Sequence, residues 1–300
     1  MRTIREKRVF EKINAGSGAY FSAYTVIDVE HSEHQLIEVY DTPELGKLLR
    51  IDNCNMLAER DAFIYHEAIV HPAAISAANP KTALVLGGGD GCVAAELLKH
   101  NTITLVDLVE LDAGVVAICK EHFSDTNFNV FDNPKLALHI TDALLFMQTS
   151  TVQYDLICLD LTDPDAGAAH SASLFTGEFF ALCKAALNAG GALSLFAGSP
   201  FAHAQRFTET VAALKTGFKF AHPYFAHVPS YAMLCGFVVA SDSVDIAAYD
   251  AAAVDAALAS RQVAHCGFYN GATHVAMLAQ PEYIRRLLAD SINDKYEDKS

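Results

Sequence analysis

Apolar and polar positions change rhythm once along the 300-residue chain. Up to about residue 60, strand-like stretches cover 20–30, 34–40, 47–52 and 56–59. Turn signals such as Thr42-Pro43 and Asp52-Asn53 separate them, which predicts a small antiparallel β unit. At Asp61 the period lengthens, and AFIYHEAIVHPAAISAA carries apolar residues at helical spacing. From Lys81 onward, apolar runs at 83–86, 103–109, 137–140, 156–160, 192–196, 218–224 and 235–240 read as strands. Amphipathic segments at 91–99, 114–122, 143–148, 177–187 and 204–215 read as the helices between them. Such alternation with short connections predicts an α/β fold with a largely parallel, doubly wound sheet. Ligands of such sheets bind at the carboxyl ends of strands, where strand order reverses. The expected division is a β domain over 1–60, an α/β domain over 61–290 and a polar tail over 291–300.

Composition narrows the function classes. An apolar content of 52% provides a sizeable core, and no apolar run reaches the roughly 18 residues of a membrane span. The N-terminal MRTIREKRVFEKI is charged with no apolar block after it, unlike a secretory signal. Seven scattered cysteines without a C-x-x-C pair suggest buried, reduced thiols in a cytoplasmic protein. A net charge of −15 argues against nucleic-acid binding and is compatible with a cationic small substrate.

The candidate chemistry begins at LVLGGGDG, where a strand meets a helix. Gly87, Gly89 and Gly91 make a G-x-G-x-G pattern; Cys92 stands where a dinucleotide fingerprint wants its third glycine, and no P-loop lysine follows. Asp90 would repel an anion from the helix N-terminus. The loop therefore suits an adenosyl group without phosphates, or else serves packing alone. Glu110 ends the next strand, where an acid can hydrogen-bond both ribose hydroxyls. Asp142 follows the third strand and can accept the adenine amino hydrogens. Asp112 and Asp142 also read as helix N-caps. Acids at three successive strand ends after this loop describe an S-adenosyl-type site. The fourth strand ends in Asp160-Leu161-Thr162-Asp163-Pro164, two carboxylates in a loop held open by proline. An Asx turn accounts for one of them. Two acids beside Asp90 point to a polyamine-like cation, and an alkylammonium must lose a proton before its nitrogen attacks carbon.

With these residues assembled, the chain resembles the spermidine synthase (polyamine aminopropyltransferase) family over nearly its whole length. The matching segments are HQLIEVYDT, ERDAFIYHEAIVHPA, LVLGGGDG, VELD, TDA, LDLTDPDAG, SLFTGEFF, AGSPF and HVPSY. The resemblance implies a small N-terminal antiparallel β domain plus a Rossmann-like, class I methyltransferase-type doubly wound sheet, as a cytoplasmic homodimer or homotetramer. It implies transfer of an aminopropyl group from decarboxylated S-adenosylmethionine to a di- or polyamine, releasing methylthioadenosine. No tightly bound cofactor, nucleic acid or membrane is implied. Carried over by position, Gly87, Gly88, Gly89, Asp90, Gly91, Glu110, Asp142 and Ala143 hold the adenosyl donor. Asp90 and Asp160 flank the aminopropyl arm and its amine; Asp160 activates the attacking nitrogen, supported by Asp163 and Tyr65. Tyr231 contacts the acceptor, and Gln35 and His66 line the donor or acceptor side.

The chain departs from the family pattern mainly around the acceptor. Met56 and Phe196 stand where glutamine is common, Leu161 replaces a usual serine, Cys235 stands near a usual tryptophan, and the loop after Tyr231 is short. AHVPSYA is closer to the thermospermine-synthase branch, so an acceptor longer than putrescine is possible. Two alternatives stay open: an S-adenosylmethionine-dependent methyltransferase, and a non-catalytic polyamine- or nucleoside-binding relative. HEAIVH has one residue too many for the H-E-x-x-H zinc motif; His66 and His71, five apart, turn away from one helix face, so no metal is expected there.

Overall fold

A computed structural model describes residues 7–162 and 169–297. β1 (Lys7–Lys12) and β2 (Gly18–Ala23) pair as an antiparallel hairpin. β3 (Thr25–His31), β4 (Leu36–Thr42), β5 (Gly46–Ile51) and β6 (Cys54–Ala58) form a four-stranded antiparallel sheet in chain order. The single strand expected over 20–30 is therefore two, divided at Tyr24 between separate sheets. The sequence pattern conceals β1 because KRVFEK is mostly charged, and one of its two buried side chains is Glu11.

α1 (Ala62–Ser76) is buried almost all round, lying between the main sheet and the helices beyond it. Pro72 sits inside it and deprives the Ala68 carbonyl of its usual amide donor. The Tyr224 hydroxyl supplies the missing bond to that carbonyl at 3.0 Å, and Ser194 Oγ donates to the Ile69 carbonyl at 2.5 Å. The helix therefore keeps its proline without a buried orphan acceptor.

The main sheet contains β7 (Thr82–Gly87), β8 (Leu105–Glu110), β9 (Leu136–Ile140), β10 (Tyr154–Asp160), β11 (Leu187–Gly198), β12 (Phe220–Val228) and β13 (Met233–Ser241). Their spatial order is β12-β13-β11-β10-β7-β8-β9, with only β13 antiparallel to its neighbours. Successive side chains serve opposite faces, which explains the continuous apolar runs. Ala83 and Val85 pack towards α1, α2 (Cys92–Leu98) and α7 (Ala251–Ser260). Leu84 and Leu86 pack towards α4 (Ala143–Thr149), α5 (Gly177–Ala185), α6 (Ala204–Gly217) and α9 (Glu282–Glu297). α3 (Ala113–His122) joins the small sheet instead, burying Val115, Ile118 and Cys119 against Ile37, Val39 and Leu49. α8 (Gly271–Leu278) lies against β12. α9 continues to Glu297, so the stretch read as a polar tail begins as helix. No described helix is long and apolar enough to cross a membrane.

From β7 the chain builds outward to β9, then returns to place β10 on the other side of β7. Strand order reverses between β7 and β10, and the small sheet stands beside that crevice through its contact with α3. At the far end of α1, Arg261 donates to the carbonyls of Ala74 and Ala77, satisfying acceptors the helix leaves open. Arg261→Ala should lower unfolding free energy by about 2–4 kcal/mol in a denaturant titration, by orphaning these carbonyls and opening a cavity. A loss below about 0.5 kcal/mol would mean the cap is replaceable by water.

Candidate active site

The turn from β7 into α2 is held against β10. Gly87 pairs with Asp160, and the Gly88 N–H donates to the Asp160 carbonyl at 2.9 Å. Gly87 has φ +79°, and a Cβ there would lie 2.2 Å from that same carbonyl oxygen. Gly89 has no positive φ, but its missing Cβ makes room for Glu110, whose Cγ would otherwise be 2.8 Å away. Gly91 stands behind the loop as the left-handed N-cap of α2. These contacts bring Asp90 and Asp160 into one buried crevice.

Asp90 is held from several sides. Its Oδ1 accepts the Cys92 N–H at 2.7 Å, its carbonyl accepts Asn127 Nδ2 at 2.9 Å, and its Oδ2 lies 3.5 Å from His66 Nε2. His66 Nδ1 meets the Ala62 carbonyl at 2.6 Å; a carbonyl only accepts, so Nδ1 carries a proton. Burial opposes charge on this ring, yet Asp90 and then Asp160 outweigh it and raise its pKa to about 9. His66 is thus an imidazolium at neutral pH. Burial also opposes the Asp90 charge, but His66 and the Cys92 amide hold its carboxyl below the usual range. Asp160 is left with the excess negative charge: burial and the Asp90 carboxylate push it up to about 6, against the pull of His66 and Tyr65. The Tyr65 hydroxyl donates to Asp160 Oδ1 at 2.8 Å.

On the β8 side, Glu110 accepts the Gly89 N–H at 3.1 Å and the Asp112 N–H at 2.9 Å. Burial pushes its pKa up to about 7. Asp112 and Asp142 both cap helices, accepting the N–H groups of Gly114 and Leu145 at 2.8 Å. The capping reading of these acids holds together with their place on the cleft, where Ala143 also stands. On the other side, Tyr231 sits in the turn between β12 and β13 and donates to the Met56 carbonyl at 2.7 Å. Asp61 accepts the Ser230 N–H at 2.6 Å, and Asn55 donates to the Ser230 carbonyl at 2.8 Å. β6 and the start of α1 thereby clamp this turn. The Tyr231 and Phe196 rings stand edge-on to Tyr65, with centroids 5.7 and 5.8 Å away.

Gln35 lines the same cleft from the β3–β4 connection. Asp163 falls outside the described residues. Sequence reasoning missed Glu11, Asn55 and His203, which also line the cleft. Glu11 accepts the Asn55 N–H at 2.8 Å and stands 3.7 Å from Arg50; burial pushes its pKa up to about 7. A lone glutamate at an inward position of an alternating strand was its one available signal. His203 reaches the Ile13 carbonyl at 2.7 Å, across 190 positions, which no local pattern could reveal.

The spermine/spermidine synthase domain family matches residues 62–250. A polyamine aminopropyltransferase of Nitrosomonas europaea is 36% identical over 96% of this chain and 88% of its own length. One from Erwinia tasmaniensis is 32% identical over 94% and 98%. Among solved structures, a spermidine synthase in complex with the transition-state analogue AdoDATO superposes with a TM-score of 0.87 at 26% identity, over 96% of this chain and 98% of that one. Spermidine synthase from Thermotoga maritima gives 0.86 at 27%, over 96% and 97%.

The His66–Asp90 pair has a pH signature. Because the folded pKa of His66 lies at about 9, above its ordinary 6.5, its contribution is fully present below pH 6.5. It is lost as pH rises through 9. Wild-type stability should fall across that window by an amount on the order of 2 kcal/mol, and His66→Gln should flatten the slope. Urea midpoints at pH 6.5 and 9 measure this; parallel curves for the two proteins would refute the ion pair.

Proposed function

Because the chain belongs to the spermine/spermidine synthase family, we propose that its cleft moves the aminopropyl group of decarboxylated S-adenosylmethionine to a di- or polyamine with Asp160 activating the attacking amine. The protein is an enzyme of the polyamine aminopropyltransferase kind. The observation that carries the mechanistic reading is the buried pair Asp90 and Asp160 with a single imidazolium beside them.

The donor's adenosyl part lies along the glycine turn, with Glu110 accepting the ribose hydroxyls and Asp142 the adenine amino group. Asp90, kept ionised by His66, receives the ammonium of the aminopropyl arm. The carboxylate of ordinary S-adenosylmethionine would meet that same negative charge, so the site discriminates by repulsion as well as by attraction. The acceptor amine enters between Asp160, Tyr65 and Tyr231, with Gln35 at the margin of the site. Asp160 takes a proton from its ammonium, freeing the nitrogen lone pair. The new C–N bond forms as the C–S bond breaks, and the sulfonium sulfur leaves as the neutral thioether of methylthioadenosine. No acid is needed for that leaving group, and the rate depends chiefly on holding nitrogen, carbon and sulfur in line.

The donor is consumed at each turnover, so the chemistry calls for no resident cofactor. All seven cysteines are free thiols, which fits a cytoplasmic location. Exposed Phe10, Tyr20, Ile27 and Val29 on β1–β3 favour a subunit contact, as in a homodimer or homotetramer. The acceptor is putrescine or a longer amine.

Incubation with decarboxylated S-adenosylmethionine and a panel of putrescine, cadaverine, agmatine, spermidine and spermine should release methylthioadenosine. Its absence with every amine, or release of S-adenosylhomocysteine from S-adenosylmethionine instead, would sink the reading. Asp160→Asn should cut kcat by at least about 100-fold while donor affinity stays within a few-fold. Since Asp160 must be ionised, kcat/KM for the amine should decline tenfold per unit as pH falls below about 6. Retention of that acid limb in the residual activity of Asp160→Asn would assign it to another group.

A further inference from the structure

α3 begins where the two sheets meet. β8 belongs to the main sheet and α3 packs on the small one, so Leu111 and Asp112 cross the seam directly after Glu110. The opposite bank of the seam is the β3–β4 connection, which places His34 and Gln35 on the cleft. Ser32 stands in that connection behind them, without lining the cleft itself. Its hydroxyl joins the two banks, donating to Asp112 Oδ2 at 2.5 Å across 80 positions. From this bond we infer, on the aminopropyltransferase reading above, that Ser32 is a positioning residue for the donor: through Asp112 it fixes the Glu110 carboxylate against the ribose without touching either.

A hydroxyl has one proton and two lone pairs, and here all three are engaged. The proton goes to the Asp112 carboxylate rather than to the Gln35 carbonyl, which is 3.2 Å away and carries no full charge. The lone pairs accept the N–H groups of His34 and Gln35 at 3.1 and 3.0 Å. The Ser32 N–H closes the turn on the Gln35 carbonyl at 3.1 Å. Loss of the hydroxyl would leave two amides on one bank and a carboxylate on the other without it.

Asp112 passes the constraint on. Its Oδ1 caps α3 by accepting the Gly114 N–H at 2.8 Å, so its two oxygens serve different elements. Its backbone N–H donates to Glu110 Oε1 at 2.9 Å, while the Gly89 N–H donates to Oε2 at 3.1 Å. One donor per oxygen sets the plane of the Glu110 carboxylate and leaves a lone pair on each for a pair of hydroxyls. Gly89 holds one oxygen from the main sheet. Ser32, acting through Asp112, holds the other from the small one.

An aspartate cap and a serine turn are each common local devices, and neither alone would concern a ligand. Here one proton links the rim of the cleft to the residue that orients its ribose acid. The seam is also tight: a Cβ on Gly114 would lie 2.9 Å from Glu30 Oε1 and 3.2 Å from Ile37 Cδ1. At the far end of α3, His122 Nε2 lies 2.8 Å from Asp28 Oδ2, and Lys47 Nζ donates to the His122 carbonyl at 2.8 Å. Those bonds fasten the same helix to the same sheet, but roughly 15 Å away along the helix from Asp112. They supply the control.

Calorimetric titration of the full chain with decarboxylated S-adenosylmethionine, and with methylthioadenosine, reads affinity for the adenosyl part directly. Ser32 is a half-buried turn residue, and its replacement should leave the chain folded. Ser32→Ala should weaken both ligands by about tenfold or more and raise the donor KM alike. Its kcat at saturating donor and its KM for the amine should stay within about threefold of wild type. Ser32→Thr, which keeps the hydroxyl, should bind the donor within about threefold of wild type. Asp28→Asn should do the same, even where it lowers stability as much as Ser32→Ala does. Unchanged donor affinity in Ser32→Ala, an equal loss in Asp28→Asn, or Ser32→Thr as weak as Ser32→Ala would overturn the inference. So would a fall in kcat with donor affinity intact. Binding of neither adenosyl compound by the wild-type chain would instead sink the aminopropyltransferase reading on which it rests.

Discussion

Negative charge crowded at the crossing of β7 and β10 governs the rest of the cleft. Two carboxylates there, Asp90 and Asp160, lie at adjacent strand ends and away from bulk water. Low polarity magnifies their repulsion, so the protein must neutralise one and tolerate the other. His66 neutralises Asp90, its ring fixed by the Ala62 carbonyl, and Asp160 keeps one hydroxyl donor and a raised pKa. A cationic amine completes this arrangement electrostatically. In the proposed reaction, affinity for the amine and readiness to take its proton come from the same unrelieved charge.

α1 is the part that makes this crowding possible. Tyr65 and His66 project from its first turns into the cleft, while His71, one to two turns on, faces α2. A helix bearing charged chemistry on one side and ionisable groups on the other needs firm seating. The Tyr224 hydroxyl at the proline defect and the Arg261 guanidinium at the end provide it, each from a distant part of the chain. The seating of Tyr65 and His66 in the cleft is therefore anchored in bonds made outside it.

The α/β part of the fold was legible because its strands are buried on both faces and read as unbroken apolar runs. The glycine turn, Glu110, Asp142 and Asp160 were legible for a related reason: strand ends at a switch point fall at predictable places. β1 was hidden by its own charges, and the break at Tyr24 by a continuous strand-like pattern. Glu11, Asn55 and His203 join the cleft through long-range contacts, which leave no mark on local periodicity. The role of His66 needed the Ala62 carbonyl, since a histidine in a helical stretch does not disclose which nitrogen holds its proton. His71 and Cys266 are 195 positions apart, and only folding brings them together.

Tyr231 is moored to position 56 through a backbone carbonyl, an atom that every amino acid provides. The side chain at that position can therefore change from amide to thioether without loosening the Tyr231 ring. One wall of the cleft is thus free to vary in length, polarity and bulk while Tyr231 stays in register, and in the proposed reaction that wall faces the amine. A lineage could then change its choice of amine by small, separately tolerated steps, with turnover preserved at each intermediate.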